Sequence, residues 1–155
     1  MAKVFLSLTG KHNRGKSETL RLVCFELLHY GKLSSCDPSL DVCTTPEDEK
    51  DIIAAIDVFG GRVCIASSGD VPNIVKEQIG KLDRCNCDII VMASRTKGGT
   101  VREIWNYVKK NEICLISTST YQIEEIAGVC AVNSTQLNSR RAKEIVELVR
   151  SMLNG

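Results

Sequence analysis

Residues 3–17 read Lys-Val-Phe-Leu-Ser-Leu-Thr-Gly-Lys-His-Asn-Arg-Gly-Lys-Ser. Val4, Phe5, Leu6 and Leu8 form a short apolar, β-prone run. From Gly10 the chain reads Gly10-Lys11-His12-Asn13-Arg14-Gly15-Lys16-Ser17, which meets G-x-x-x-x-G-K-[ST] at every fixed position. Beyond it, Leu20, Val23, Cys24, Leu27 and Leu28 recur at the spacing of one helical face. A strand, a glycine-permitted loop and a helix start therefore follow one another. The start of such a helix combines unpaired N–H groups with the positive end of the dipole, and so favours an anion. Gly31 is expected to end this helix as a C′ glycine.

The rest of the chain alternates strand and helix patterns. Asp51–Ser67 reads as a hairpin: Ile52–Ile56 and Val63–Ala66 are apolar runs separated by Gly60-Gly61. Strands this close in sequence must be antiparallel, and one of them is expected at an edge of the sheet. Val71, Val75, Gln78, Ile79 and Leu82 predict a helix, with Asp70 as its N-cap and Pro72 in its first turn. Asp88–Ala93 reads as a central parallel strand. Thr100-Val-Arg-Glu103 predicts a capping box for a helix with Val101, Ile104, Trp105 and Val108 on its apolar face. Ile113–Ile116 is a further buried run, Ser119-x-x-Gln122 predicts a short capped helix ending at Gly128, and Val129–Val132 suggests a strand. The last helix is expected from about Ser139, with Ala142, Ile145, Val146, Val149, Met152 and Leu153 on its inner face. This order predicts a three-layer α/β fold: a mostly parallel sheet with an antiparallel hairpin and helices on both faces.

Composition narrows the function classes. At 155 residues and 43% hydrophobic content, one domain (1–155) with one sizeable core is expected. A net charge of +1 gives no bulk attraction to nucleic acid or anionic membrane, so neither is an expected partner. No signal-peptide pattern and no apolar run near ~18 residues is found, and a cytoplasmic location is expected. Cys24, Cys64, Cys114 and Cys130 lie in apolar runs and read as small core hydrophobes. The cysteines are accordingly read as reduced thiols. Cys36, Cys43, Cys85 and Cys87 lack the usual spacing of a zinc site.

The stretch Gly10–Ser17 resembles the Walker A loop of the P-loop nucleoside triphosphatase superfamily. The resemblance implies Mg²⁺-dependent binding of a nucleoside triphosphate, with phosphoryl transfer to water or a small molecule. It implies that Gly10, Lys11, His12, Asn13, Arg14, Gly15, Lys16, Ser17 and Glu18 bind the nucleotide. Lys16 would meet the terminal phosphates and Ser17 the metal. Asp70, after the Val63–Ala66 run, is the candidate second metal ligand; Ala66 stands where the Asp-x-x-Gly element of GTPases has its aspartate. Arg14 or Arg95 would neutralise charge on the transferring group, so Lys16, Asp70 and Arg95 are the catalytic candidates. Arg95, Lys97 or Arg102 would meet phosphates or a small anionic second substrate. Ser34–Glu49 lies where GTPase-like proteins have their first switch loop, with Thr44 or Thr45 reaching the metal. No Asn-Lys-x-Asp element follows a strand, so ATP rather than GTP is the default. The alternative is a nucleotide-dependent switch or partner subunit with little or no hydrolysis. Neither a general base nor the oligomeric state is legible.

Overall fold

A computed structural model describes residues 3–10, 15–34, 51–121 and 133–155. The chain is α/β, with a mixed six-stranded sheet and four helices among the described residues. The strands are β1 (Val4–Thr9), β2 (Lys32–Leu33), β3 (Ile53–Val58), β4 (Gly61–Ala66), β5 (Ile89–Ser94) and β6 (Cys114–Ser119). The helices are α1 (Lys16–Leu28), α2 (Pro72–Asp83), α3 (Gly99–Lys110) and α4 (Ser134–Asn154). Strand order is β2-β3-β4-β5-β1-β6. β4, β5, β1 and β6 run parallel, whereas β3 is antiparallel to both β2 and β4.

Period-two alternation divides the strands between two cores. Leu6 and Leu8 of β1, Ile65 of β4 and Val91 of β5 face α1 and α4. Phe5, Cys64, Ile90 and Met92 face α2 and α3. Both faces of β5 are covered, which explains its unbroken apolar run Ile89-Ile90-Val91-Met92.

The hairpin forms, but its two-residue turn is Phe59-Gly60, not Gly60-Gly61. Both turn residues have positive φ, 51° and 80°, as a type I′ turn requires. Gly61 instead opens β4, opposite Val58. The edge beyond β3 is taken by the short β2, so β3 is not an edge strand along its whole length.

Several local expectations change. α1 ends at Leu28, before Gly31, and Gly31 is not in the left-handed region. Glycine is needed there because a Cβ would overlap the Asp57 carbonyl of β3. α4 starts at Ser134, five residues before Ser139, because Asn133 and Gln136 form a reciprocal capping box. The Thr100–Glu103 box does not form. Gly98 is the N-cap of α3, and the buried Thr100 hydroxyl instead accepts from the Arg95 N–H at 3.3 Å. The N-cap of α2 is Val71 rather than Asp70. β6 is only partly buried, because among the described strands it pairs with β1 alone; Cys114 is therefore exposed, not a core residue. The readings for Cys36, Cys43, Thr44, Thr45, Gln122, Gly128, Val129–Val132 and Cys130 lie outside the described residues.

The thiol reading also changes. Cys64 of β4 and Cys87, just before β5, are joined by a disulfide with their Cα atoms 6.0 Å apart. Cys87 is therefore not available as a zinc thiolate. Cys24 and Cys85 are buried thiols.

Candidate anion and metal site at the strand ends

Parallel strands deliver their C-terminal ends to one edge of the sheet, where open α/β folds collect ligands. β1 brings Gly10 there, and α1 starts at the same place. Gly15, at φ 78°, is the N-cap of α1, and its left-handed backbone turns the chain from loop to helix. The Gly15 carbonyl accepts from both the N–H and the hydroxyl of Thr19 at 3.0 and 2.7 Å. Lys11, His12, Asn13 and Arg14 lie outside the described residues.

Lys16 is 5% exposed although it carries an ammonium group. Its Nζ donates to the carbonyls of Gly10 at 3.0 Å and Ser94 at 3.3 Å. It also meets Asp70 Oδ1 at 3.1 Å. A charge this deeply placed needs such partners to offset its lost hydration. Arg95 Nε lies 3.5 Å from the same Asp70 oxygen. Lys16, Asp70 and Arg95 are thus brought together, with Asp70 bridging two cations.

Ser17 has a different carboxylate beside it. Its hydroxyl lies 3.4 Å from Asp51 Oδ1 and 3.2 Å from the Ser67 carbonyl. The Ser67 hydroxyl donates to Asp51 Oδ1 at 3.0 Å and accepts from the Ile52 N–H at 2.8 Å. Ser67 is almost wholly buried, so it holds the exposed Asp51 from behind. The carboxylate facing Ser17 is therefore that of Asp51, whereas Asp70 meets Lys16 and Arg95.

Asp51 had a readable signal that motif matching passed over. It lies just before β3, which is antiparallel, so its position falls at the same sheet edge as the ends of β4, β5 and β1. Asn138 and Thr120 had no such signal. The Asn138 amide donates to Glu18 Oε2 at 2.7 Å and fills the space where a Gly15 side chain would lie. Glu18, counted among the nucleotide-binding candidates, thereby ties α1 to α4. Thr120 donates its N–H to the Thr9 carbonyl at 3.3 Å and sits against Gly10.

No family model, no curated protein and no solved structure matches this chain. Among the described residues, no helix is long and apolar enough to cross a membrane. Also among them, no group of three or more His, Cys, Asp or Glu side chains is placed to hold a metal. The oxygens of Ser17, Asp51 and Ser67 are nevertheless hard donors of the kind Mg²⁺ accepts alongside water and phosphate.

Gly69 positions the centre of this site. A Cβ at Gly69 would overlap the Ala93 carbonyl, a backbone group in the middle of the sheet that cannot swing aside. Gly69→Ala is expected to cost on the order of 1–3 kcal/mol and to move Asp70 off Lys16. Urea denaturation measures the first effect. An unchanged midpoint would show that the Ser67–Asp70 turn has room to shift.

Proposed function

We propose that the chain is a P-loop nucleoside triphosphatase-like protein that binds Mg²⁺ and a nucleoside triphosphate, ATP by default, and transfers the terminal phosphoryl group. The observation that carries this reading is the buried Lys16 ammonium at the start of α1, within an intact G-x-x-x-x-G-K-S match. An ammonium held against Gly10, Ser94 and Asp70 is positioned before any ligand arrives. A phosphate oxygen would compete with these partners for it.

In this reading Lys16 binds the β- and γ-phosphates, and Asp70 orients Lys16 and Arg95 toward them. Arg95, about half exposed, supplies positive charge to the transferring group. Mg²⁺, when bound, would neutralise charge on the phosphates. Ser17 and Asp51 would hold it, with Ser67 fixing Asp51. The new P–O bond forms to the acceptor oxygen as the bond to the β–γ bridging oxygen breaks. The acceptor proton passes to solvent, and the nucleoside diphosphate leaves. A cytoplasmic location suits these substrates, although a disulfide is unusual there.

A second reading, a nucleotide-dependent switch, is favoured by one feature. The Lys16–Asp70–Arg95 contact is a ready-made interaction that phosphate would remake.

Melting of the protein with ATP, GTP, CTP and UTP, each with and without Mg²⁺, tests the proposal. A Mg²⁺-dependent rise in Tm with one nucleotide is expected, and no rise with any triphosphate would sink it. Turnover of that nucleotide separates enzyme from switch. Asp51→Asn is expected to raise the Mg²⁺ concentration needed for the shift by about tenfold or more. Asp70→Asn is expected to change nucleotide affinity at saturating Mg²⁺ without moving that requirement. The reverse pattern would return the metal to Asp70.

A further inference from the structure

The α3 face of the sheet changes character along the strands. Near its base it is apolar, with Phe5, Ile90, Met92 and Leu115. Toward the ligand edge the same faces of β1, β5 and β6 carry Ser7, Thr9, Ser94 and Ser117. The next two residues on the Phe5 side of β1 are thus hydroxyl-bearing where a packed core would take apolar side chains. Between this patch and α3 lies a cavity of about 300 Å³, at the small end of the range for small-molecule sites. Its far wall is Val101, Ile104 and Trp105.

Two of these residues point to a ligand. Ser7 is 4% exposed, lines the cavity, and its hydroxyl makes no hydrogen bond among the described residues. The hydroxyl opens onto the cavity and so offers a ligand one hydrogen bond. Trp105, read from the sequence as part of a core-facing stripe, is 57% exposed at the cavity wall. An indole left open beside hydroxyls suits a flat ring with polar substituents.

The cavity adjoins the candidate phosphate site. Thr9 immediately precedes Gly10, and Ser94, whose side chain lines the cavity, offers its carbonyl to Lys16. Among the described residues no charged side chain lines it, and Arg95 meets Asp70 instead.

We infer that this cavity is the acceptor site, and that it takes an uncharged, ring-bearing alcohol stacked on Trp105 and hydrogen-bonded to Ser7. The assignment of the ligand as phosphoryl acceptor rests on the proposed function; the existence of the binding site does not.

Trp105 is the sole tryptophan, so its emission reports on this wall directly. The intact protein is titrated in one series with the four ribonucleoside triphosphates and in another with the four ribonucleosides and benzyl alcohol, and emission and acrylamide quenching are followed. A saturable change with at least one of them, with Trp105 shielded from acrylamide, is expected. Ser7→Val should weaken that binding about tenfold, the loss of one buried hydrogen bond. Should Ser7→Val fail to fold, the acrylamide protection of the native protein still decides. No saturable change with any probe overturns the site. A change with nucleoside triphosphate alone overturns the acceptor assignment, because the donor's base then fills the cavity. The Mg²⁺-dependent melting shift is scored separately. If it is present while Trp105 is silent, only the cavity assignment fails. If Trp105 responds while no triphosphate stabilises the protein, the phosphoryl-transfer reading fails and the acceptor role with it.

Discussion

Lys16→Ala is expected to abolish stabilisation by Mg²⁺ and nucleoside triphosphate. In the native protein a nucleotide at about a hundred times its Kd should add ~2.7 kcal/mol. For a chain of this length that is a rise in Tm of roughly 5–10 °C. The argument rests on position. Lys16 Nζ sits at 3.0, 3.1 and 3.3 Å from Gly10, Asp70 and Ser94, in a setting where only 5% of the residue is exposed. Such an ammonium has already lost most of its hydration, so a phosphate oxygen competes with its present partners rather than with water. Alanine leaves the helix N-terminus but removes the point charge. A melting shift of native size in Lys16→Ala would place the nucleotide elsewhere on the protein and end the P-loop reading. Differential scanning calorimetry on both proteins, with and without Mg²⁺, is the measurement.

Breaking the Cys64–Cys87 disulfide is expected to cost about 3 kcal/mol, from the loop entropy restored to the unfolded chain across a separation of 23 residues. That corresponds to a fall in Tm on the order of 10 °C. The bond joins β4 to the segment entering β5, two strands whose far ends carry Ser67 and Ser94. Peptide mapping after alkylation should find Cys64 and Cys87 protected until a reductant is added. Cys64→Ala with Cys87→Ala should match the reduced protein in Tm. If both cysteines alkylate readily in protein purified without reductant, the bridge is absent in solution. Both residues would then be free thiols, as a reducing compartment keeps them.

Much of the fold was written in local pattern. The apolar run of β1, the spacing of Leu20, Val23, Cys24 and Leu27, and the continuous run in β5 each report a pattern that depends only on which faces are covered. Those signals sufficed for an α/β chain with a hairpin and helices on both faces. Caps and turns were less legible, because one sequence admits several local hydrogen-bonding schemes. Thr100 matched a capping box, yet its hydroxyl is drawn to the Arg95 N–H across the turn. Trp105 matched an apolar helical face, yet it borders a cavity whose strand side carries hydroxyls, and it stays open.

The sequence by itself determined that a strand, a glycine-bounded loop and a helix would bring Lys16 and Ser17 to the start of α1, since those residues are contiguous and glycine φ freedom is local. Only the tertiary structure decided which distant residues meet them. Strand order places β5 between β1 and β4, so Ser94 as well as Asp70 reaches Lys16. The antiparallel β3 returns Asp51 to the same edge, opposite Ser17. Such pairings span 34 residues for Ser17–Asp51 and 54 for Lys16–Asp70, and no local propensity encodes them. They follow from how the sheet closes its two cores.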